Sequence, residues 1–157
     1  MAERKRSWLD GPQIPGENDE IGEGKWPGER IGLPEKGSGA QASVARRAGA
    51  VLIDWVIAMI IASFIIMFTD ALGGQATVQL LVWIVIGIVG GWLFARTPGM
   101  ALLGMGVARI DVDGARVGLW RAAVRTILTA FVLPAALVDS DGRGMHDRAT
   151  GTTVIMA

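Results

Sequence analysis

The sequence predicts an all-α membrane protein with two firm transmembrane helices, a third spanning or re-entrant helical segment and a disordered N-terminal arm. Three observations carry that prediction. Two runs with at most one charge are long enough to cross a bilayer, the apolar residues that make up 51% of the chain cluster after residue 43, and the stretch before them is rich in Gly, Pro and charge. A chain of 157 residues suffices for one domain, and its mean hydropathy of +0.42 is unlike that of a soluble domain of this size.

The arm, residues 1–43, carries six Lys/Arg and eight Asp/Glu without apolar periodicity, so it is expected to stay disordered in the cytoplasm. Its basic opening "MAERKRSW" has no apolar stretch behind it until residue 48. That argues against a cleaved signal peptide and leaves the first hydrophobic segment as the targeting signal. The membrane domain is expected over 44–157.

The first helix is expected over 48–69, where 22 residues with one charge, Asp54, span roughly 33 Å at 1.5 Å per residue. The second, over 76–95, is uncharged. The link "DALGGQ" lacks Lys and Arg, whereas Arg46 and Arg47 precede the first helix and Arg96 follows the second. The positive-inside rule then places the N-terminus and the central loop in the cytoplasm, with the chain multi-pass in the plasma membrane. The third segment, over 118–138, is harder to fit. Its uncharged part, 126–138, covers only about 20 Å and contains Pro134, and counting back to Leu119 brings Arg121 and Arg125 inside. Either it spans with snorkelling arginines, or it turns near Pro134 and returns the tail to the cytoplasm. Between the second and third segments, "GMGVARIDVDGARVGLW" has a DG turn flanked by β-branched residues and reads as a short hairpin or an interfacial element. Trp92 and Trp120 suit the headgroup level.

Several chemistries are excluded or disfavoured. Without cysteine there is no disulfide, thiolate nucleophile or Cys-based zinc site. Asp139, Asp141, His146 and Asp147 fall within nine residues, but they lack the EF-hand spacing and one histidine is weak support for zinc. A solvated turn is the simpler reading, with no metal and no cofactor. His146, the only histidine, is read as a hydrogen-bonded hinge between tail and membrane in preference to a proton relay. No nucleophile elbow, Walker loop or Ser/His/Asp order occurs, so an enzyme is disfavoured. Five Arg against two Asp between residues 96 and 125 suggest a surface facing lipid headgroups, not a nucleic-acid site.

The carboxylate inside the first helix is the main candidate for function. Ala50, Asp54, Ala58 and Ala62 recur at i+4 and form one ridge of small residues, and the second helix offers Gly87, Gly91 and Ala95 as a matching ridge. Asp54 lies roughly 9 Å below the start of its helix, level with Arg125 if the third segment begins near Leu119. An Asp54–Arg125 ion pair is therefore expected, with Arg121 one turn nearer water. Arg47 shares Asp54's face but is roughly 10 Å away along the axis. A structural ion pair locking the first helix to the third segment is favoured over an ion-binding carboxylate, because three short segments line little of a pathway.

Four motifs in order, "RRAGAVLID", "TPGMALLGMGVARID", "RAAVRT" and "GRGMHDRATGTTV", resemble the RDD family of membrane proteins over residues 44–155. The resemblance implies that the arginine and two aspartates for which the family is named are Arg47, Asp54 and Asp147. One departure is Met100, where the family often has Lys after "TPG". The resemblance implies transport of an unknown ligand, and some members are linked to sodium/proton exchange. Two functions are thus expected. One is cation- or proton-coupled transport through an oligomer, with Asp54 binding the ion and Arg47, Arg125 and Asp147 tuning it. The other is a non-catalytic accessory or scaffold subunit of a larger membrane complex. Partners in either case are membrane lipid and a second copy or a larger protein, with no nucleic acid.

Overall fold

The structure, a computed structural model, describes residues 25–112, 114–131 and 143–157. It is mostly helical. The long helices are α1, Val44–Ile66, and α2, Gln75–Phe94, followed by the short α3, Pro98–Leu102, strand β1, Met105–Arg109, helix α4, Leu119–Ala130, helix α5, Met145–Thr150, and strand β2, Thr152–Met156.

Helix α1 starts where Ser43 caps it, the hydroxyl accepting from the Arg46 amide at 3.3 Å. At 1.5 Å per residue α1 and α2 are about 35 and 30 Å long, each enough to cross the hydrocarbon layer. Their outward faces are apolar and exposed: Ile60 and Phe64 on α1, Val85 and Phe94 on α2. Such faces suit lipid better than water, and both helices are long and apolar enough to cross a membrane.

Helix α1 buries one stripe, Arg47, Ala50, Asp54, Ala58 and Ala62. It packs against α2, which reaches across with polar side chains. Gln79 donates to the Trp55 carbonyl at 3.3 Å, Gln75 donates to Ser63 Oγ at 3.0 Å, and Trp55 meets Trp83 edge to face at 6.0 Å. The glycines of α2 do not face this stripe. A Cβ on Gly87 would lie 2.6 Å from Thr126 Cγ2, and one on Gly91 would lie 3.2 Å from Ala122 Cβ. Both glycines therefore exist to admit α4, which corrects the expectation of matched ridges between the first two helices. Ala95 belongs to no ridge either. It ends α2 in the left-handed region, φ 53°, and its carbonyl accepts from the Val107 amide at 2.7 Å.

The expected hairpin around the DG turn is replaced by a long-range pairing. Strand β1 runs antiparallel to β2 with Met105 opposite Met156 and Arg109 opposite Thr152. On its other edge β2 takes the end of the arm: Ala42 donates to the Val154 carbonyl at 2.9 Å, Met156 donates to Ala40 at 2.8 Å, and Gln41 bridges Ile155. The fold is thus not purely helical, and the arm is ordered well before residue 43. Ala40 and Ala42 are buried, and Trp26 Nε1 donates to the Leu33 carbonyl at 2.9 Å. The sheet and the ends of α1 and α2 enclose one core of Ala42, Ala50, Met100, Met105, Val107, Val117, Ala122 and Val154.

The third segment appears as α4, twelve residues and about 18 Å, shorter than a span. Its continuation to residue 138, with Pro134, and the carboxylates Asp139 and Asp141 lie outside the described residues, as do residues 1–24 of the arm.

Candidate functional site

The candidate residues fall into three groups at one end of the helix pair. Asp54 serves the corner between α2 and α3. Its Oδ1 accepts from the Gly99 amide at 2.7 Å and its Oδ2 accepts from the Thr97 hydroxyl. The sequence "TPG" builds this corner: Thr97 caps α3, with its hydroxyl also accepting from Met100 N at 3.3 Å, and Pro98 fills the first helical turn, where no amide is needed. Gly99 is required because a Cβ there would lie 2.2 Å from the Ala50 carbonyl oxygen. That close approach is what brings an amide to a buried carboxylate.

Asp147, fully buried in α5, takes the role that the charge pattern had suggested for Asp54. Its Oδ1 accepts from Arg125 Nη1, and its Oδ2 lies 3.4 Å from Arg47 Nη1. Thr152 donates to Oδ1 at 3.4 Å and accepts from Arg125 Nη1 at 3.3 Å, while His146 Nε2 lies 3.5 Å from Oδ1. Arg47, Arg125 and His146 are themselves buried. The expected Asp54–Arg125 pair is therefore corrected. Helix α4 is held on α2 at Gly87 and Gly91, and the C-terminal segment returns Asp147 to Arg125, so Asp54 remains with the α3 amide.

Arg121 is turned away from this cluster. It donates to Asp111 Oδ2 and to the Thr150 carbonyl, both at 3.0 Å. Arg109 grips the same carboxylate through two parallel bonds of 2.8 and 2.6 Å. The Arg109 bond is the main reason the Asp111 carboxyl is held down at about 2. Asp111 and Thr97 were not among the residues picked from sequence. A Thr-Pro-Gly cap motif is a readable signal for the second, and Arg109 two residues before Asp111 is one for the first.

Beside these groups the described residues leave a cavity of about 370 Å³ between α1, α2, α3 and α4, with Val107 of β1 and His146 of α5 also in its lining. Its polar lining is Arg47, Asp54, Arg96, Arg125, His146 and three threonines, and its walls include Val51, Leu52 and Trp83. Three arginines face it against one carboxylate. With Asp147 behind them, an excess of one positive charge remains even if His146 is neutral.

The model of the RDD family matches residues 41–151, the greater part of the chain. Neither the curated proteins nor the solved structures contain a match.

Proposed function

The chain belongs to the RDD family, and from that premise we propose that it is a non-catalytic membrane protein that binds a ligand in the cavity between its helices. One observation carries the reading. Both oxygens of Asp54 and both of Asp147 are already engaged by protein donors, while the cavity beside them keeps an arginine excess. A passing cation would have to displace those donors at a site that repels it. An anionic ligand meets the opposite field.

The accessory-subunit form of this reading rests on the exposed apolar faces of α1 and α2, against which lipid or another chain would pack. The small-residue ridges are consumed inside the chain. Orientation follows from charge: Arg46, Arg47, Arg96, Arg109 and Arg121 gather at the end that carries the sheet, which supports a cytoplasmic location for that end in the plasma membrane.

Ion-coupled transport through an oligomer is a second reading, favoured by the fact that Asp54 lines the cavity. Reconstitution into sealed liposomes separates the two. Binding without conduction predicts sodium and proton fluxes equal to those of protein-free vesicles for the wild type and Asp54→Asn alike. A saturable flux lost in Asp54→Asn would replace the binding reading with the transport one.

A further inference from the structure

Building on the ligand-binding reading, we propose that the cavity holds the headgroup and upper acyl chain of an anionic phospholipid that enters sideways from the bilayer. The first ground is where the mouth lies. Leu52, which lines the cavity, is 65% exposed, and Ala48, one turn earlier on the lining face, is exposed as well. Both belong to the outward side of a membrane-length helix, so the opening faces hydrocarbon and its ready supply of ligand is lipid.

The second ground is charge. Every bond that Arg125 makes with a described side chain runs through Nη1, toward Asp147 and Thr152, and a guanidinium has five N–H donors. Arg96, also at the cavity, forms no side-chain hydrogen bond or ion pair with a described residue. The two buried guanidiniums, Arg47 and Arg125, are balanced by Asp54 and Asp147, so the excess charge at the cavity is that of the exposed Arg96, and a phosphate between Arg96 and the free donors of Arg125 meets it with charge-assisted bonds.

The third ground is size and lining. A volume of about 370 Å³ falls within the range of small-molecule sites and is less than a two-chain phospholipid needs. The phosphate end and part of one chain fit, with Val51, Leu52 and Trp83 along the chain and the remainder left in the bilayer.

The test is native mass spectrometry of delipidated full-length protein given phosphatidylglycerol, phosphatidylcholine, oleate or inorganic phosphate. Expected is saturable binding of one phosphatidylglycerol, about five- to ten-fold tighter than phosphatidylcholine. Arg96→Gln, at an exposed position, should erase most of that preference, and Ala48→Phe, at the mouth, should abolish binding of both lipids while the melting temperature stays near that of the wild type. Equal binding of the two phospholipids, or a preference unchanged in both variants, would overturn the assignment. Binding of oleate or phosphate without phosphatidylglycerol would overturn the phospholipid while leaving the ligand-binding reading intact. Binding of no probe would overturn both.

Discussion

A carboxylate between two guanidiniums and one between a hydroxyl and an amide respond differently to loss of charge, and this chain contains both. Asp147→Asn leaves Arg47 and Arg125 buried against a neutral amide, a change expected to cost about 3–5 kcal/mol. Asp54→Asn keeps a carbonyl for the Gly99 amide and weakens bonds to two neutral donors, so about 1–3 kcal/mol is expected. Denaturation of the two variants in one detergent checks the order. Asp111 is a third case, exposed and gripped by Arg109. Its folded pKa of about 2 lies below the ordinary 3.8, so the pair stabilises the fold above that range and the contribution fades as pH falls through about 2. A carboxyl-carbon NMR titration should show a midpoint near 2, returning toward 3.8 in Arg109→Gln. At this scale the sequence was a partial guide. It singled out Arg47, Asp54, Arg125 and Asp147, but matching depths along helices paired the wrong two, because depth says nothing about which helix face meets which.

Elements are positioned by a few close approaches. Helix α4 can lie on α2 only because Gly87 has no side chain facing Thr126. Gly87→Ala is expected to cost about 1–3 kcal/mol, and Thr126→Ala should recover most of it by removing both atoms that clash. Equal costs in the presence and absence of Thr126 would contradict this packing. Gly99 is held more tightly, against the Ala50 backbone carbonyl, with no flexible atom to give way. The long helices were legible from hydropathy, since apolar runs of membrane length have few other uses. The start of α1 moved toward the N-terminus, from 48 to 44, because Ser43 supplies a cap. The sheet was not legible. Its strands are five residues each, far apart in sequence, and β2's "TTVIM" has a β-branched composition that gains meaning only beside β1 and the end of the arm.

For the whole molecule, the C-terminal segment closes the fold on the helix pair. Strand β2 lies between β1 and residues 40–42, and α5 carries Asp147 to Arg47 at the head of α1. This puts Ala157, whose amide donates to Gly104 at 2.8 Å, at the same end as the start of α1. On the proposed cytoplasmic orientation of that end, Ala157→Cys in a cysteine-free chain should escape an impermeant thiol reagent added to intact cells and react after permeabilisation. Composition and four spaced motifs were enough to indicate a membrane protein of this family. The cavity was out of reach, because its lining comes from six elements, α1 to α5 and β1, whose contacts no local pattern states. The central claim is that Asp147 clamps the C-terminal segment to both α1 and α4 while Asp54 serves the α2–α3 corner. Two double-mutant cycles on equilibrium stability test it: Arg125→Ala with Asp147→Asn, and Arg125→Ala with Asp54→Asn. The predicted result is a coupling of about 2 kcal/mol or more in the first and additivity within about 0.5 kcal/mol in the second. Strong coupling between Arg125 and Asp54, with additivity between Arg125 and Asp147, would contradict it.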